Sequence, residues 1–304
     1  MKLAIVGAAG SIGAPTAFYI AQRNIVDKIV LIDPNQKLLK NHAMDMTQAV
    51  LEVSDSEIST GDYKDLAGVD IIILSAAQPA AAVTSRNAWL KGNLELLRDV
   101  TGEIKKHVRD KVIIVVTNPV DICTYYVYKQ LGWSRNKIVG FNVNDSVRVR
   151  WALHKTTGLD YKKLDGLCIG EHGMYQVPLF SQVTYEGKPL AITDEVRAAT
   201  NKAIHDWTTE FLELADARTT GWLCCITLSD LVADLVKGSS KPIVSTTPLE
   251  GEYRERDICL GVPVMLGPTG IQEIVSLPIS AEERMQFHEA AENVRRVIRD
   301  AGLQ

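Results

Sequence analysis

The stretch GEHGM, residues 170–174, places a histidine between two glycines directly after a predicted strand. Glycine neighbours leave the imidazole of His172 open and let a ligand come close, and histidine exchanges a proton near neutral pH. Earlier in the chain, Asp145 and Arg148 are three residues apart, so on a helix they lie on one face. A structural histidine and an ordinary surface ion pair are the alternative interpretations.

The glycine-rich stretch GAAGSIG, residues 7–13, joins the first predicted strand to the first predicted helix. A tight turn there points backbone N–H groups and the helix N-terminus at a pyrophosphate. Asp33 ends the second predicted strand, 20 residues beyond Gly13, where a carboxylate can bond a ribose 2′-hydroxyl and repel a 2′-phosphate. The pattern predicts an NAD site rather than an NADP site. The alternative for Asp33 is a helix N-cap before Pro34.

The first half of the chain alternates short apolar runs with longer stretches of helical spacing. Unbroken β-branched runs are typical of strands covered on both faces, with the helical stretches as the covers. The alternation predicts an α/β fold with a doubly wound parallel sheet over residues 1–141. The predicted strands are residues 3–7, 28–33, 69–77, 111–119 and 137–141.

After about residue 142 the pattern changes, which predicts a second, α+β domain over residues 142–304. Strands are expected at 165–170 and 181–190, the second turning at Glu186 and Gly187. The other predicted elements are helices at about 194–215 and 220–237, strand-like segments from 241 to 276, and a last helix opened by a capping box of Ser280 and Glu283.

Composition excludes several functional classes. The 304 residues include 33 basic and 37 acidic side chains, which gives no electrostatic reason to expect nucleic acid or an anionic membrane. The five cysteines lack C-x-x-C spacing, which favours free thiols in a reducing compartment. The N-terminus enters KLAIVG at once, and no apolar run approaches the roughly 18 residues of a membrane span. We expect a cytoplasmic protein.

Five features together resemble the lactate and malate dehydrogenase family, over essentially the whole chain. The matching features are GAAGSIG at 7–13, Asp33, TNPVD at 117–121, DSVRVR at 145–150 and GEHG at 170–173. The resemblance implies a Rossmann domain followed by a catalytic α+β domain. It also implies an NAD-dependent L-2-hydroxy acid dehydrogenase that forms a homodimer or homotetramer.

The resemblance assigns roles to individual residues. His172 would be the acid/base that takes the proton from the C2 hydroxyl, and Asp145 would accept the other imidazole N–H. Arg148 would hold the C1 carboxylate by a two-pronged hydrogen bond, and Asn118 would bond near the reacting oxygen. The implied cofactor-binding residues are Gly7, Gly10, Ser11, Ile12, Gly13, Asp33, Asn93, Val116 and Asn118.

The segment SAAQPAAAVTSR, residues 75–86, matches the family's substrate-closing loop in length. By resemblance, Arg86 polarises the substrate carbonyl. Six positions earlier the family reads the substrate's side chain, typically with arginine in malate and glutamine in lactate dehydrogenases; this chain has Ala80 there. The second carboxylate of oxaloacetate would lose a charged hydrogen bond of roughly 1.5–3 kcal/mol.

Two further positions indicate a roomier, less polar pocket. Met174 stands where the family commonly has aspartate, and Thr220 aligns with a threonine of lactate dehydrogenases where malate dehydrogenases usually have alanine. We therefore expect a monocarboxylate substrate, lactate-like or with a larger apolar side chain. In the first alternative, Lys91 or Arg150 reaches the pocket and restores malate activity. The more distant one is an NAD-dependent glycosidase with a metal on Cys168 and His172; we expect no metal.

Overall fold

The computed structural model describes residues 1–78, 86–214 and 219–303, with the side chains of residues 86–89 outside the description. Its first half alternates strands and helices, as the apolar runs predict. The elements up to residue 140 are β1 (Lys2–Val6), α1 (Gly13–Gln22), β2 (Lys28–Ile32), α2 (Gln36–Val50), β3 (Glu57–Thr60), β4 (Ile71–Leu74), α3 (Arg86–His107), β5 (Val112–Val115), α4 (Val120–Leu131) and β6 (Ile138–Gly140).

These six strands pair in parallel in the order β3-β2-β1-β4-β5-β6. All except β3 consist mainly of fully buried aliphatic residues, because helices cover both faces of the sheet. The order is that of doubly wound nucleotide-binding sheets, which bind ligands outside the carboxyl ends of their strands, where the strand order reverses. The predicted fold class of the first half is confirmed.

The second half is an α+β unit with mainly antiparallel pairing, as predicted. Its elements are α5 (Val143–Thr157), β7 (Leu164–Asp165), β8 (Cys168–Gly170), β9 (Gln176–Pro178), β10 (Thr184–Tyr185), β11 (Lys188–Pro189), α6 (Asp194–Leu214), α7 (Gly221–Lys237), β12 (Ile243–Glu250), β13 (Arg256–Gly267), β14 (Gly270–Ile274) and α8 (Ala281–Asp300). Glu186 and Gly187, with φ of 51° and 75°, form the expected turn between β10 and β11. Ser280 and Glu283 form the expected capping box of α8.

One sheet continues through both halves. β12 pairs antiparallel with β6 and with the long β13, which in turn pairs with β8, so the described residues form a sheet of eleven strands. This arrangement brings the end of β8 close to the carboxyl ends of the parallel strands. The domain boundary after residue 141 lies between β6 and α5 and stays a prediction. In the described ranges, no helix combines the length and the apolar character needed to cross a membrane.

Candidate active site

A cavity of about 1340 Å³ lies at the carboxyl ends of the parallel strands. It extends from Asp33, after β2, to His172, after β8, and the first turn of α7 forms part of its wall. The position is the one that the reversal of strand order between β1 and β4 predicts. A dinucleotide-binding region and a histidine centre therefore share one cavity.

The glycine loop fits the pyrophosphate of NAD. Gly7 has φ +89°, and a Cβ there would meet the Ala76 backbone nitrogen at 2.6 Å, so other residues do not fit. A Cβ on Gly13 would collide with the Gly7 carbonyl oxygen. The start of α1 has no side-chain cap and no acidic residue in its first turn, which leaves N–H groups for a phosphate. The loop residues that line the cavity are Gly7, Gly10, Ser11 and Ile12.

Asp33 lines the same cavity, and its carboxylate bonds the glycine loop and the turn before α2. One carboxylate oxygen accepts the Ala9 N–H (3.1 Å) and the other accepts the Asn35 N–H (2.8 Å). The N-cap alternative is wrong: the cap of α2 is Asn35, whose side chain accepts the Leu38 N–H. A fixed carboxylate at this place suits a ribose hydroxyl and opposes a 2′-phosphate, so the site fits NAD.

His172, Asp145 and Arg148 meet where the loop after β8 reaches the first turns of α5. The carboxylate of Asp145 bonds His172 Nδ1 at 2.7 Å through Oδ2, and Arg148 Nη1 at 2.8 Å through Oδ1. The Asp145 side chain is 5% exposed and the Arg148 side chain 18% exposed, so the surface-pair alternative is wrong. His172 lines the cavity instead of serving only as a packing residue.

The electrostatics of this group favour the protonated imidazole. Burial lowers the pKa of His172, but the charge and the hydrogen bond of Asp145 raise it. Arg148 lowers it further and Asp121 raises it, and the net pKa lies above the ordinary value for histidine. Because Asp145 occupies Nδ1, Nε2 is the nitrogen left for a ligand in the cavity.

The guanidinium of Arg148 lies between a carboxylate and an aromatic ring. Its Cζ is 5.1 Å from the centroid of Trp207, which itself stacks on Phe211 at 5.1 Å. Its Nε is buried without a partner among the described residues. Arg148 does not itself line the 1340 Å³ cavity, although its partner Asp145 bonds a residue that does. Two contacts thus restrict the guanidinium while part of its donor capacity is left for an anion.

Val116, Asn118 and Thr220 all lie in the cavity wall. Thr220 is the N-cap residue of α7. Asn93, by contrast, is fully buried and is not a wall residue. Its amide accepts the Gln78 N–H (2.8 Å) and donates to the Asn118 carbonyl oxygen (2.7 Å). Asn93 therefore supports two loops that frame the cavity, rather than forming the cofactor surface itself.

Sequence reasoning missed three residues around the histidine. Asp121 accepts the His172 main-chain N–H at 2.7 Å. Asn144 and Cys224 line the cavity, and the Asn144 amide donates to Cys224 Sγ at 3.2 Å. The only available signal was the position of Asp121 inside the TNPVD motif, because the other contacts join residues that are distant in the sequence.

Two residues predicted to contact the substrate lie wholly or partly outside the described residues. Ala80 is one of residues 79–85, which lie outside the described residues. Arg86 begins α3, but its side chain is also outside the description. The role of each stays a prediction.

Three other predictions can be compared with the described cavity wall. Met174 is 70% exposed and is not part of that wall, so the expectation that it makes the pocket less polar is wrong. Lys91 is exposed and likewise outside the wall. The Arg150 guanidinium lies 5.6 Å from the Tyr161 ring centroid, also away from the wall.

The described residues do not support a metal at Cys168 and His172. Cys168 is buried, its thiol is 3.7 Å from the Gln176 side-chain oxygen, and burial raises its pKa well above the ordinary value. Across residues 1–78, 86–214 and 219–303, no three His, Cys, Asp or Glu side chains are placed to share a metal ion. A neutral thiol is a poor metal ligand.

Both halves of the chain match known protein families. Residues 1–140 match the family model of the lactate/malate dehydrogenase NAD-binding domain, and residues 144–302 match that of the lactate/malate dehydrogenase alpha/beta C-terminal domain. The malate dehydrogenase of Bacillus cytotoxicus is 34% identical over 304 residues, which are 98% of this chain and 97% of that protein. The L-lactate dehydrogenase of Acetivibrio thermocellus is 31% identical over 306 residues, with coverage of 98% and 96%.

Solved structures agree with the sequence comparison. An L-lactate dehydrogenase from Clostridium thermocellum superposes with a TM-score of 0.85 at 30% identity, covering 98% of each chain. The malate dehydrogenase of Salinibacter ruber superposes with a TM-score of 0.88 at 25% identity, covering 99% of this chain and 100% of that one. Because both halves match and relatives of both names exceed 30% identity, the chain belongs to the lactate/malate dehydrogenase family.

Proposed function

We propose that this NAD-dependent 2-hydroxy acid dehydrogenase prefers a monocarboxylate, with a side chain like that of lactate or a larger apolar one. Family membership makes the chain an oxidoreductase that acts on the CH–OH group of small 2-hydroxy acids with NAD. The observation that carries the preference is the lack of a cation in the described wall around His172, together with alanine at position 80.

The histidine centre accounts for the proton in the reaction. NAD, when bound, supplies or accepts the hydride at the substrate's C2. In the reducing direction His172 gives the proton on Nε2 to the carbonyl oxygen, and in the oxidising direction it takes that proton back. Asp145 holds the opposite nitrogen at 2.7 Å, which fixes the tautomer and stabilises the imidazolium.

Arg148 and Asn118 orient the substrate in this proposal. The guanidinium carries the charge that a C1 carboxylate needs, and its contacts with Asp145 and Trp207 reduce the freedom lost on binding. Asn118 lines the cavity and can bond the reacting oxygen. By family resemblance Arg86 polarises the same carbonyl.

The cavity wall beside His172 supports a substrate without a second charge. In that wall, α5 contributes Asn144, α7 contributes Cys224, and the N-cap of α7 is Thr220. All three side chains are neutral, and hydrogen bonds link Cys224 to each of the other two. The described wall also contains two basic residues, Arg98 and Lys106, both on α3. This helix packs on residues 63–68 near Asp33, at the dinucleotide end of the cavity. Both already pair with acidic neighbours, Asp99 and Glu103.

A panel of 2-oxo acids tests this preference. We expect kcat/KM with NADH to be higher for pyruvate, 2-oxobutyrate, branched 2-oxo acids or phenylpyruvate than for oxaloacetate, by about ten- to 100-fold. The expected difference follows from the missing charged hydrogen bond to the second carboxylate. Steady-state NADH oxidation at fixed pH and salt gives the ratios. A lead for oxaloacetate would refute the monocarboxylate preference.

Malate is the second candidate substrate. Relatives named malate dehydrogenase include the 34% identical protein of Bacillus cytotoxicus, slightly above the 31% of the lactate dehydrogenase of Acetivibrio thermocellus. If malate is the substrate, a cation other than an arginine at position 80 must bind its second carboxylate. The described positions of Lys91 and Arg150 do not favour either residue for that task.

The raised pKa of His172 predicts opposite pH dependences for the two directions. Reduction of a 2-oxo acid needs the imidazolium, so its kcat/KM should be highest below the raised pKa of His172 and fall as pH rises through it. Oxidation of the 2-hydroxy acid needs the neutral ring, so its rate should rise over the same interval. Steady-state profiles in both directions check this. If the rates of reduction and oxidation both rose, or both fell, across this pH interval, the assigned role of His172 would be contradicted.

We further propose a homodimer or homotetramer in the cytoplasm. Phe18 on α1 and Trp222 and Ile226 on α7 are exposed, at 38%, 71% and 44%, and these two helices pack against each other. Exposed apolar side chains on neighbouring helices favour a subunit contact. All five cysteines are free and buried, which is consistent with a reducing compartment.

A further inference from the structure

Asp121 is a buried carboxylate that links two loops of the active site to the central sheet. It lies in the first turn of α4, three residues after Asn118, and is 1% exposed. One oxygen accepts the His172 main-chain N–H at 2.7 Å, and the other accepts the Thr246 hydroxyl at 2.7 Å. One side chain therefore connects the turn that holds Asn118, the loop after β8 that holds His172 (the histidine loop), and β12.

The histidine loop begins at Gly170, the last residue of β8, which has φ +88°. Glu171 restrains this loop from the other side of His172: its carboxylate accepts the Asn293 amide N–H (3.2 Å) and the Tyr175 main-chain N–H (3.1 Å), and its carbonyl oxygen accepts the Gly173 N–H. These bonds tie the loop to α8 and to itself, and none of them reaches Asn118. Asp145 orients the imidazole ring, but the place of that ring also depends on the His172 main chain. Asp121 is the described contact that fixes this main chain relative to Asn118.

We propose that Asp121 is a positioning residue of the reaction, which holds the His172 main chain so that the imidazole and Asn118 face the same substrate oxygen. The inference rests on the proposed function, in which both side chains act at that oxygen. A displacement on the order of 1 Å at a reacting group can cost about 100-fold in rate. A contact that sets the histidine's distance from Asn118 thus affects kcat without touching the substrate.

The charged groups around Asp121 give the positioning contact an electrostatic component. The pKa of Asp121 is raised to about 7. Burial is the main cause and the charge of Glu171 adds to it, while the bonds from Thr246 and the His172 N–H and the charge of His172 oppose it. The N-terminus of α4 favours the carboxylate. In its charged form Asp121 raises the pKa of His172, alongside Asp145 and against Arg148. The nearby thiols of Cys123 and Cys259 stay neutral because burial raises the pKa of each.

Two substitutions separate position from charge. Asp121→Asn can still accept the His172 N–H through its oxygen and donate to Thr246 through its amide, but it removes the charge. We expect the high-pH limb of 2-oxo acid reduction to move to lower pH, with a smaller loss of kcat at the optimum than in Asp121→Ala. Asp121→Ala removes both bonds, so we expect kcat to fall on the order of tenfold to 100-fold with the Kd for NADH unchanged.

A second readout does not depend on turnover. In protein labelled with 13C-histidine, the His172 ring titrates in an NMR spectrum and is assigned by its loss in His172→Asn. Its midpoint should lie lower in Asp121→Asn than in the original chain. Glu283 provides the matched control, because it is as buried as Asp121 and accepts the main-chain N–H groups of Ser181 and Ser280 outside the cavity wall. Glu283→Gln should leave both the His172 titration and the pH limb in place.

The outcomes distinguish this inference from the proposed function. If the original chain reduces no 2-oxo acid, the proposed function itself fails. If it turns over, but Asp121→Ala keeps kcat within twofold and Asp121→Asn moves neither the pH limb nor the His172 titration, Asp121 is not a positioning residue. Should Asp121→Ala fail to fold, the two Asp121→Asn measurements decide alone.

Discussion

Replacing His172 by asparagine should lower kcat on the order of 10²- to 10⁴-fold while NADH still binds. An asparagine side chain keeps a donor for the carboxylate of Asp145 but cannot exchange a proton with the substrate oxygen. The glycine loop and Asp33, which bind the dinucleotide in our proposal, are unchanged by the substitution. Steady-state turnover and a fluorescence titration with NADH measure the two effects separately.

His288 offers a control with the same local chemistry outside the active site. Its Nδ1 lies 2.8 Å from Glu255 Oε1, close to the 2.7 Å between His172 and Asp145, but its side chain is 62% exposed and outside the cavity wall. His288→Asn should therefore leave kcat unchanged. If His172→Asn keeps kcat within tenfold of the original value, the acid/base role is refuted.

The order of elements could be predicted because local patterns specify them. Unbroken Ile, Leu and Val runs become the buried strands β1, β2, β4, β5 and β6, and a serine with a glutamate three residues later opens α8. β3 escaped prediction because its sequence EIST combines exposed and half-buried positions on the edge of the sheet. Such a strand lacks the apolar signal on which the other predictions depend.

The active site was predictable where its parts lie within one motif, or where the family resemblance links two motifs, as it does for Asp145 and His172. Asp145 and Arg148 share a helix turn, and motif spacing indicates their pairing. The Asp121–His172 bond joins residues 51 apart, and Trp207 reaches Arg148 from α6, so a three-dimensional fold is needed to find both contacts. Met174 shows the opposite failure: adjacency to the GEHG motif suggested a pocket residue, but the chain turns its side chain outward, where it is 70% exposed.

Substituting arginine at Ala80 should change the ratio of kcat/KM for oxaloacetate over pyruvate by about ten- to 100-fold in favour of oxaloacetate. By family resemblance this position faces the substrate's side chain, six residues before Arg86. The described wall residues of α5 and α7 beside His172 are neutral. They therefore neither supply the positive charge already nor repel a new guanidinium. The substitution should therefore supply the missing partner of the second carboxylate.

The position of the charge, and not its mere presence, is what the proposal requires. Ala81→Arg adds the same guanidinium one residue later in the same segment, and it should change the ratio much less. Steady-state kinetics of both variants with both 2-oxo acids, at the same pH and ionic strength, give the comparison. Equal shifts in the two variants would mean that the added charge attracts a dianion without contacting it, because steering acts at a distance and is weakened by salt. An unchanged ratio in Ala80→Arg would show that residue 80 does not select the substrate.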